Sequence, residues 1–136
     1  MPEFDIIKQY FRPSAKSSCV AVPNGDDAAV LTLDLPNVLS VSRWYQPGNP
    51  DDAKGSFQEC QDQLKRLFNQ INDTPAQPVA LLMNLVLPEE KPDFLEAISQ
   101  AINKFSSRHH LPLIGGDTTS GNYQVTFTII GQSAQP

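Results

Sequence analysis

The sequence predicts an α/β (α+β) domain built on a mixed β-sheet, and three observations predict it. Apolar residues recur at helical spacing in two stretches, Ser56 to about Ile71 and Glu89 to Arg108. Between them, Val79 to Leu87 is almost wholly apolar, as in a strand covered on both faces. After them, Tyr123 to Ile130 alternates with the period of a half-buried strand. Stretches of the two periods alternating along one chain make helices layered on a sheet.

Along the chain, Phe4, Ile6, Ile7, Tyr10 and Phe11 make Glu3 to Phe11 a short amphipathic helix, stopped by Pro13. Cys19 to Val22 reads as a brief strand running into Pro23-Asn24-Gly25. Ala28 to Leu33 is a second strand, Asp34 to Asn37 a turn, and Val38 to Ser42 a third strand. Arg43 to Gly55 holds Pro47, Gly48, Asn49 and Pro50 and is expected to be irregular. Ser56 is expected to cap the next helix, with Glu59 completing a capping box. Asn72 to Pro78 reads as a loop. Pro92 suits the first turn of the long helix, whose buried stripe is Phe94, Leu95, Ile98, Ile102 and Phe105. Leu111 to Ile114 is a short strand that Gly115-Gly116 is expected to break. The order is α-β-β-β-α-β-α-β-β.

The 136 residues fit one domain, 1–136. The formal charge of −5 gives no electrostatic reason to bind nucleic acid or an anionic membrane. Phosphate binding would need local donors or a bridging cation. Cys19 and Cys60 have no CxxC partner and read as idle free thiols. The first residues carry no secretory pattern, and no apolar run approaches the ~20 residues that span a bilayer. A cytoplasmic protein is the expectation.

Two Gly-Asp segments could carry chemistry. In Asn24-Gly25-Asp26-Asp27, adjacent carboxylates repel each other and favour a cation such as Mg2+, which takes oxygen ligands. The same residues also make ordinary solvated turns. In Gly115-Gly116-Asp117-Thr118-Thr119-Ser120, paired glycines allow close backbone approach to a ligand, and backbone N–H groups can cradle a phosphate. A polar connection between strands accounts for it equally. Neither segment is a Walker-type loop. His109 and His110 end the long helix, where polar or cationic groups complement the helix C-terminus. Trp44 and Tyr45 read either as core lids or as an exposed contact patch.

In their order these landmarks resemble the N-terminal domain of thiamine-monophosphate kinase, of the aminoimidazole-ribonucleotide-synthetase-like superfamily. They are Glu3-Phe4-Asp5-Ile6-Ile7, Gly25-Asp26-Asp27-Ala28-Ala29, the strand ending in Val41-Ser42, Pro78 to Pro88, Phe94-Leu95-Glu96-Ala97, and Leu113 to Thr119. The resemblance implies a mixed sheet with helices packed on one face. It implies transfer of the γ-phosphoryl group of ATP to thiamine monophosphate, with Mg2+ and ATP as cofactors. By position it implies Asp26, Asp27, Asp73 and Asp117 as metal ligands, and Gly25, Gly115, Gly116 and Thr118 at the nucleotide. It also implies a homodimer formed through a sheet edge.

The chain departs from the family at Ser42-Arg43-Trp44, where the family has Ser-Thr-Asp. An indole offers no oxygen, so that metal site is incomplete. Tyr45 to Asp52 replaces a substrate-binding segment, and Thr74-Pro75-Ala76-Gln77 replaces a loop of Ala-Met-Gly-Ala type. The family's C-terminal domain would begin where this sequence stops. These departures imply a domain without independent catalysis, a partner chain that supplies the missing domain, or an interaction module.

Overall fold

The computed structural model describes residues 20–22 and 30–135. The expected helix at 3–11, the residue Cys19 and the Gly25-Asp26-Asp27 segment lie outside the described residues. Of the two strands expected beside that segment, Val20–Val22 (β1) and Val30–Leu31 (β2) are described, and they pair antiparallel.

The main sheet holds Asn37–Tyr45 (β3), Gln77–Leu87 (β4), Leu113–Ser120 (β5) and Gln124–Ser133 (β6), in the spatial order β3-β6-β4-β5. β6 runs antiparallel to both β3 and β4, while β4 and β5 run parallel. β3 and β4 therefore point the same way. Ala53–Asn72 (α1) and Pro92–His109 (α2) each cross over between parallel strands, so the two helices run side by side in one direction. The mixed sheet and, among the described residues, the single helix layer agree with the expected architecture.

Alternation along β4 explains why the helices lie on one face. Leu81, Met83, Leu85 and Leu87 join the main core with Cys60, Leu64, Leu67 and Ile71 of α1 and Phe94, Ile98 and Ile102 of α2. Full burial of each large apolar side chain contributes about 1.5–3 kcal/mol. A smaller cluster, Val79, Ala80 and Ile114 with Leu31, Leu33, Leu82 and Ile130, lies on the opposite face. There the backbone N–H groups of Asp34 and Leu35 donate to the Gln132 side chain (2.8 and 3.1 Å), tying the chain before β3 to β6. Among the described residues, that segment covers one end of the face opposite the helices, and the other end is open.

Four local expectations are corrected. β3 does not stop at Ser42: Arg43, Trp44 and Tyr45 pair with Phe127, Thr126 and Val125, and the breakers act only from Pro47 onward. Ser56 is not the cap of α1. Asp52 is, accepting from Gly55 N–H at 3.1 Å, while buried Ser56 donates to the Asn49 carbonyl and Glu59 accepts from Gly48 N–H. A Cβ on Gly55 would fall 2.4 Å from the Asp52 carboxylate, so the glycine makes room for the cap. β4 begins at Gln77 rather than after Pro78. Pro78 lies beside a register shift and ahead of the first β5 pair, Leu81 with Leu113, so its missing N–H is not needed by β5. Finally, Gly115-Gly116 does not break β5, which continues to Ser120.

Candidate functional site on the helix-free face

Strand register sets the geometry of the site. Trp44 pairs with Thr126, Thr126 with Asn84, and Asn84 with Asp117. Paired residues point to the same face, so these four side chains form one row across all four strands, on the face without helices. Trp44 stands 62% exposed at one edge, and Asp117 is exposed at the other. Three strand spacings separate their backbones, ~14 Å. The adjacent row is Ser42, Thr128, Leu82 and Gly115, with a 2.8 Å hydrogen bond between the Ser42 and Thr128 hydroxyls.

The two glycines differ in what the fold asks of them. Gly116 has φ +146°, and a Cβ there would fall 1.6 Å from the Met83 carbonyl oxygen. Its bare backbone is what lets β5 lie against β4. A Cβ on Gly115 would meet no atom within 4 Å. The fold does not need that glycine, and its place beside the Asp117 row keeps an open patch on the face.

Asp117 Oδ1 accepts the Thr118 backbone N–H at 2.9 Å, which leaves Oδ2 for a ligand. Thr118 pairs with Leu85, so its side chain turns toward the helix layer. Thr119 pairs with Val86 and shares the Asp117 face. Sequence reading named the Thr119 hydroxyl in the segment from Gly115 to Ser120 but missed Thr126 and Asn84. Asn84 had a visible signal, as a lone amide in the apolar run 79–87. Thr119 follows from the period of two once β5 is known to continue.

The remaining predicted residues lie apart from this row. Asp73 is the C-cap of α1, its N–H bonded to Asn69 and Ile71 carbonyls. It precedes β4, whereas Asp117 sits beside Asn84, seven residues and ~23 Å beyond the strand's start. The described chain does not bring the two carboxylates together. Arg43 turns to the helix side, where its Nε donates to Gln63 of α1, so it adds no charge beside Trp44.

Tyr45 resolves the ambiguity of the Trp44-Tyr45 pair. It is buried and stacks on Phe127, while Trp44 is exposed. The Tyr45 hydroxyl is buried without a hydrogen-bond partner of ordinary geometry, beside the Cys60 thiol. Burial pushes the Cys60 thiol up to about 12, and burial also raises Tyr45. Cys60 is therefore the idle core thiol expected of it. His110 closes α2 in the left-handed conformation (φ 54°), its N–H bonded to the Ser106 carbonyl, and His109 stacks on Phe68.

No group of three or more His, Cys, Asp or Glu able to hold a metal occurs among the described residues. On this face they supply one carboxylate, Asp117. One carboxylate suits a Mg2+ ion whose other ligands are phosphate oxygens and water, not a cage made by protein alone.

This fold is that of the N-terminal domain of AIR-synthase-related proteins. The family model of that description matches residues 61–133, more than half of the chain, and the chain belongs to this family. It is 27% identical over 143 residues to the thiamine-monophosphate kinase of Haemophilus influenzae, a match covering 96% of this chain and 41% of that protein. The chain thus spans about two fifths of such relatives. The crystal structure of thiamine-monophosphate kinase from Stenotrophomonas maltophilia K279a matches with a TM-score of 0.73 and 24% identity, over 85% of this chain and 37% of that one. AaThiL complexed with AMPPCP and TMP matches with a TM-score of 0.63 and 14% identity, over 85% and 37% of the two chains. The two solved structures carry the fold.

Proposed function

We propose that this chain is the nucleotide-facing domain of a thiamine-monophosphate-kinase-like protein, and that it does not catalyse by itself. The observation that carries this reading is the placement of Asp117. It stands exposed beside Gly115, on an open sheet face, in a chain that matches thiamine-monophosphate kinases over nearly its whole length. Asp117, with Asn84 and Thr119 beside it, would hold a Mg2+ ion against nucleotide phosphates. Asp26 and Asp27 are proposed to add carboxylates, whereas Asp73, at the far end of β4, is left out of this site. Bound Mg2+ would neutralise charge on the transferring phosphoryl group, and the chain's own part is to fix that ion and the phosphates in place.

Trp44 argues against independent catalysis. It puts an indole where the family pattern has a carboxylate, at the level of Asp117 on the same face. A C-terminal domain, in the same protein or in a separate chain, would supply the rest of the site. A cytoplasmic setting is part of this proposal; no helix among the described residues is long and apolar enough to cross a membrane. A coupled ATPase assay with thiamine monophosphate tests the reading. No turnover is expected from the chain alone, and steady turnover would refute the non-catalytic part.

A second reading, a homodimerisation module, is favoured by β3. This edge strand presents Val38 and Trp44, each 62% exposed, and lacks a strand partner on its outer side among the described residues. Pairing two copies through such an edge would satisfy its backbone groups.

A further inference from the structure

We propose that the groove between α1 and α2, toward their C-terminal ends, binds a phosphate monoester that carries a planar ring. The groove has a volume of about 410 Å3, within the ~300–1,000 Å3 range of small-molecule sites. Lys65, Phe68, Lys104, Phe105, Arg108 and His109 line it. It lies in the helix layer, across the sheet from Asp117, and is independent of the reading above.

Charge is the first argument. The chain has fifteen acidic and ten basic side chains, yet this groove gathers three cations against one lining carboxylate, Asp62. Among the described residues the one ion pair is Lys91 with Asp51, at the opposite end of α2, so neither Lys65 nor Arg108 has a carboxylate within 4 Å. The Lys104 ammonium lies 5.8 Å from the Phe57 ring centre. A helix dipole favours cations only in the last turn. That accounts for Arg108 and His109 but not for Lys65 or Lys104, which precede the ends of their helices by more than a turn. Three like charges gathered against one carboxylate favour an anion, and ammonium and guanidinium groups bind phosphate oxygens by charge-assisted hydrogen bonds.

The groove wall is the second argument. The Phe68 ring lies 4.1 Å from His109 and 5.7 Å edge-to-face from Phe105, and Phe105 lies 4.8 Å from His109. Phe68 and His109 are only partly buried and can take a planar ring beside the cations. Burial first, and then the nearby Arg108 charge, hold the His109 imidazole below its ordinary range.

AMP without divalent cation is the probe, titrated into the full chain while NMR follows His109. The chain has two histidines, so His110→Gln assigns the signals. We expect saturable binding at least about tenfold tighter than that of inorganic phosphate, with the His109 titration moved upward by the bound anion. The exposed pair Lys65→Gln/Arg108→Gln should weaken binding about tenfold or more with thermal unfolding unchanged, and Asp117→Asn should leave it intact. Equal affinity for phosphate and AMP, a shift that never saturates, binding unchanged in the double variant, or binding lost in Asp117→Asn would each overturn the proposal.

Discussion

Gly116 lies so close to the β4 backbone that a Cβ on it would fall 1.6 Å from the carbonyl oxygen of Met83. No side-chain rotation relieves such a contact, because both partners are backbone. Gly116→Ala should therefore separate β5 from β4 and abolish cooperative folding, or cost more than ~4 kcal/mol. Gly115→Ala fills open space and should leave stability within about 1 kcal/mol of the parent. Urea unfolding of the two variants checks this, and equal losses would contradict it.

Trp44 is the chain's one tryptophan, so its fluorescence reports on a single exposed position. The isolated domain at low concentration should show the red-shifted emission of a solvated indole, readily quenched by iodide. If copies associate through β3, emission should move to the blue as concentration rises, together with a doubling of mass in light scattering. A rise in mass with unchanged emission and quenching would place the dimer elsewhere.

Trp44→Asp returns a carboxylate to the row that ends in Asp117. The side chain it removes is largely solvated, so stability should change by less than ~1 kcal/mol. Affinity for Mg2+ with nucleotide should rise. Calorimetry on parent and variant gives the comparison, and an unchanged affinity would detach Trp44 from the site.

Cys60 makes the domain sensitive to alkali. Its native thiol is held up to about 12 against an ordinary 9.0, so above pH 9 the unfolded chain loses a proton that the native state keeps. Stability contributed by the neutral thiol is complete below about pH 9. It then falls by about 1.4 kcal/mol per pH unit until the native thiol ionises. Burial of Tyr45 acts in the same direction at higher pH. Cys60→Ala should flatten the decline between pH 9 and 10 in unfolding curves. A parent already flat over that range would show that the thiol is not buried in solution.

The parts of this molecule that sequence revealed are those set by local periodicity. The α2 stripe of Phe94, Leu95, Ile98, Ile102 and Phe105 is buried as its spacing required. The parts that escaped depend on neighbours distant in sequence. Gly115-Gly116 reads as a strand breaker until Met83 is beside it, because close backbone approach appears only in the assembled sheet. Tyr45 joins β3 because Val125 lies opposite. Asp117 was legible as a candidate residue, but its row was not: Asn84 and Thr126 reach it only through the register of two strand pairs. The same register turns Thr118 away from the carboxylate it follows.

Calorimetric titration of Mg2+ with AMPPCP into the chain, repeated on Asp117→Ala, tests the central claim most directly. Asp117 is exposed and its removal should shift stability by no more than ~0.5 kcal/mol, so a change in binding reports on the site itself. We expect saturable, Mg2+-dependent binding in the parent and a loss of about tenfold or more in the variant. Equal binding by the two chains would contradict the assignment of this face to a Mg2+-nucleotide site.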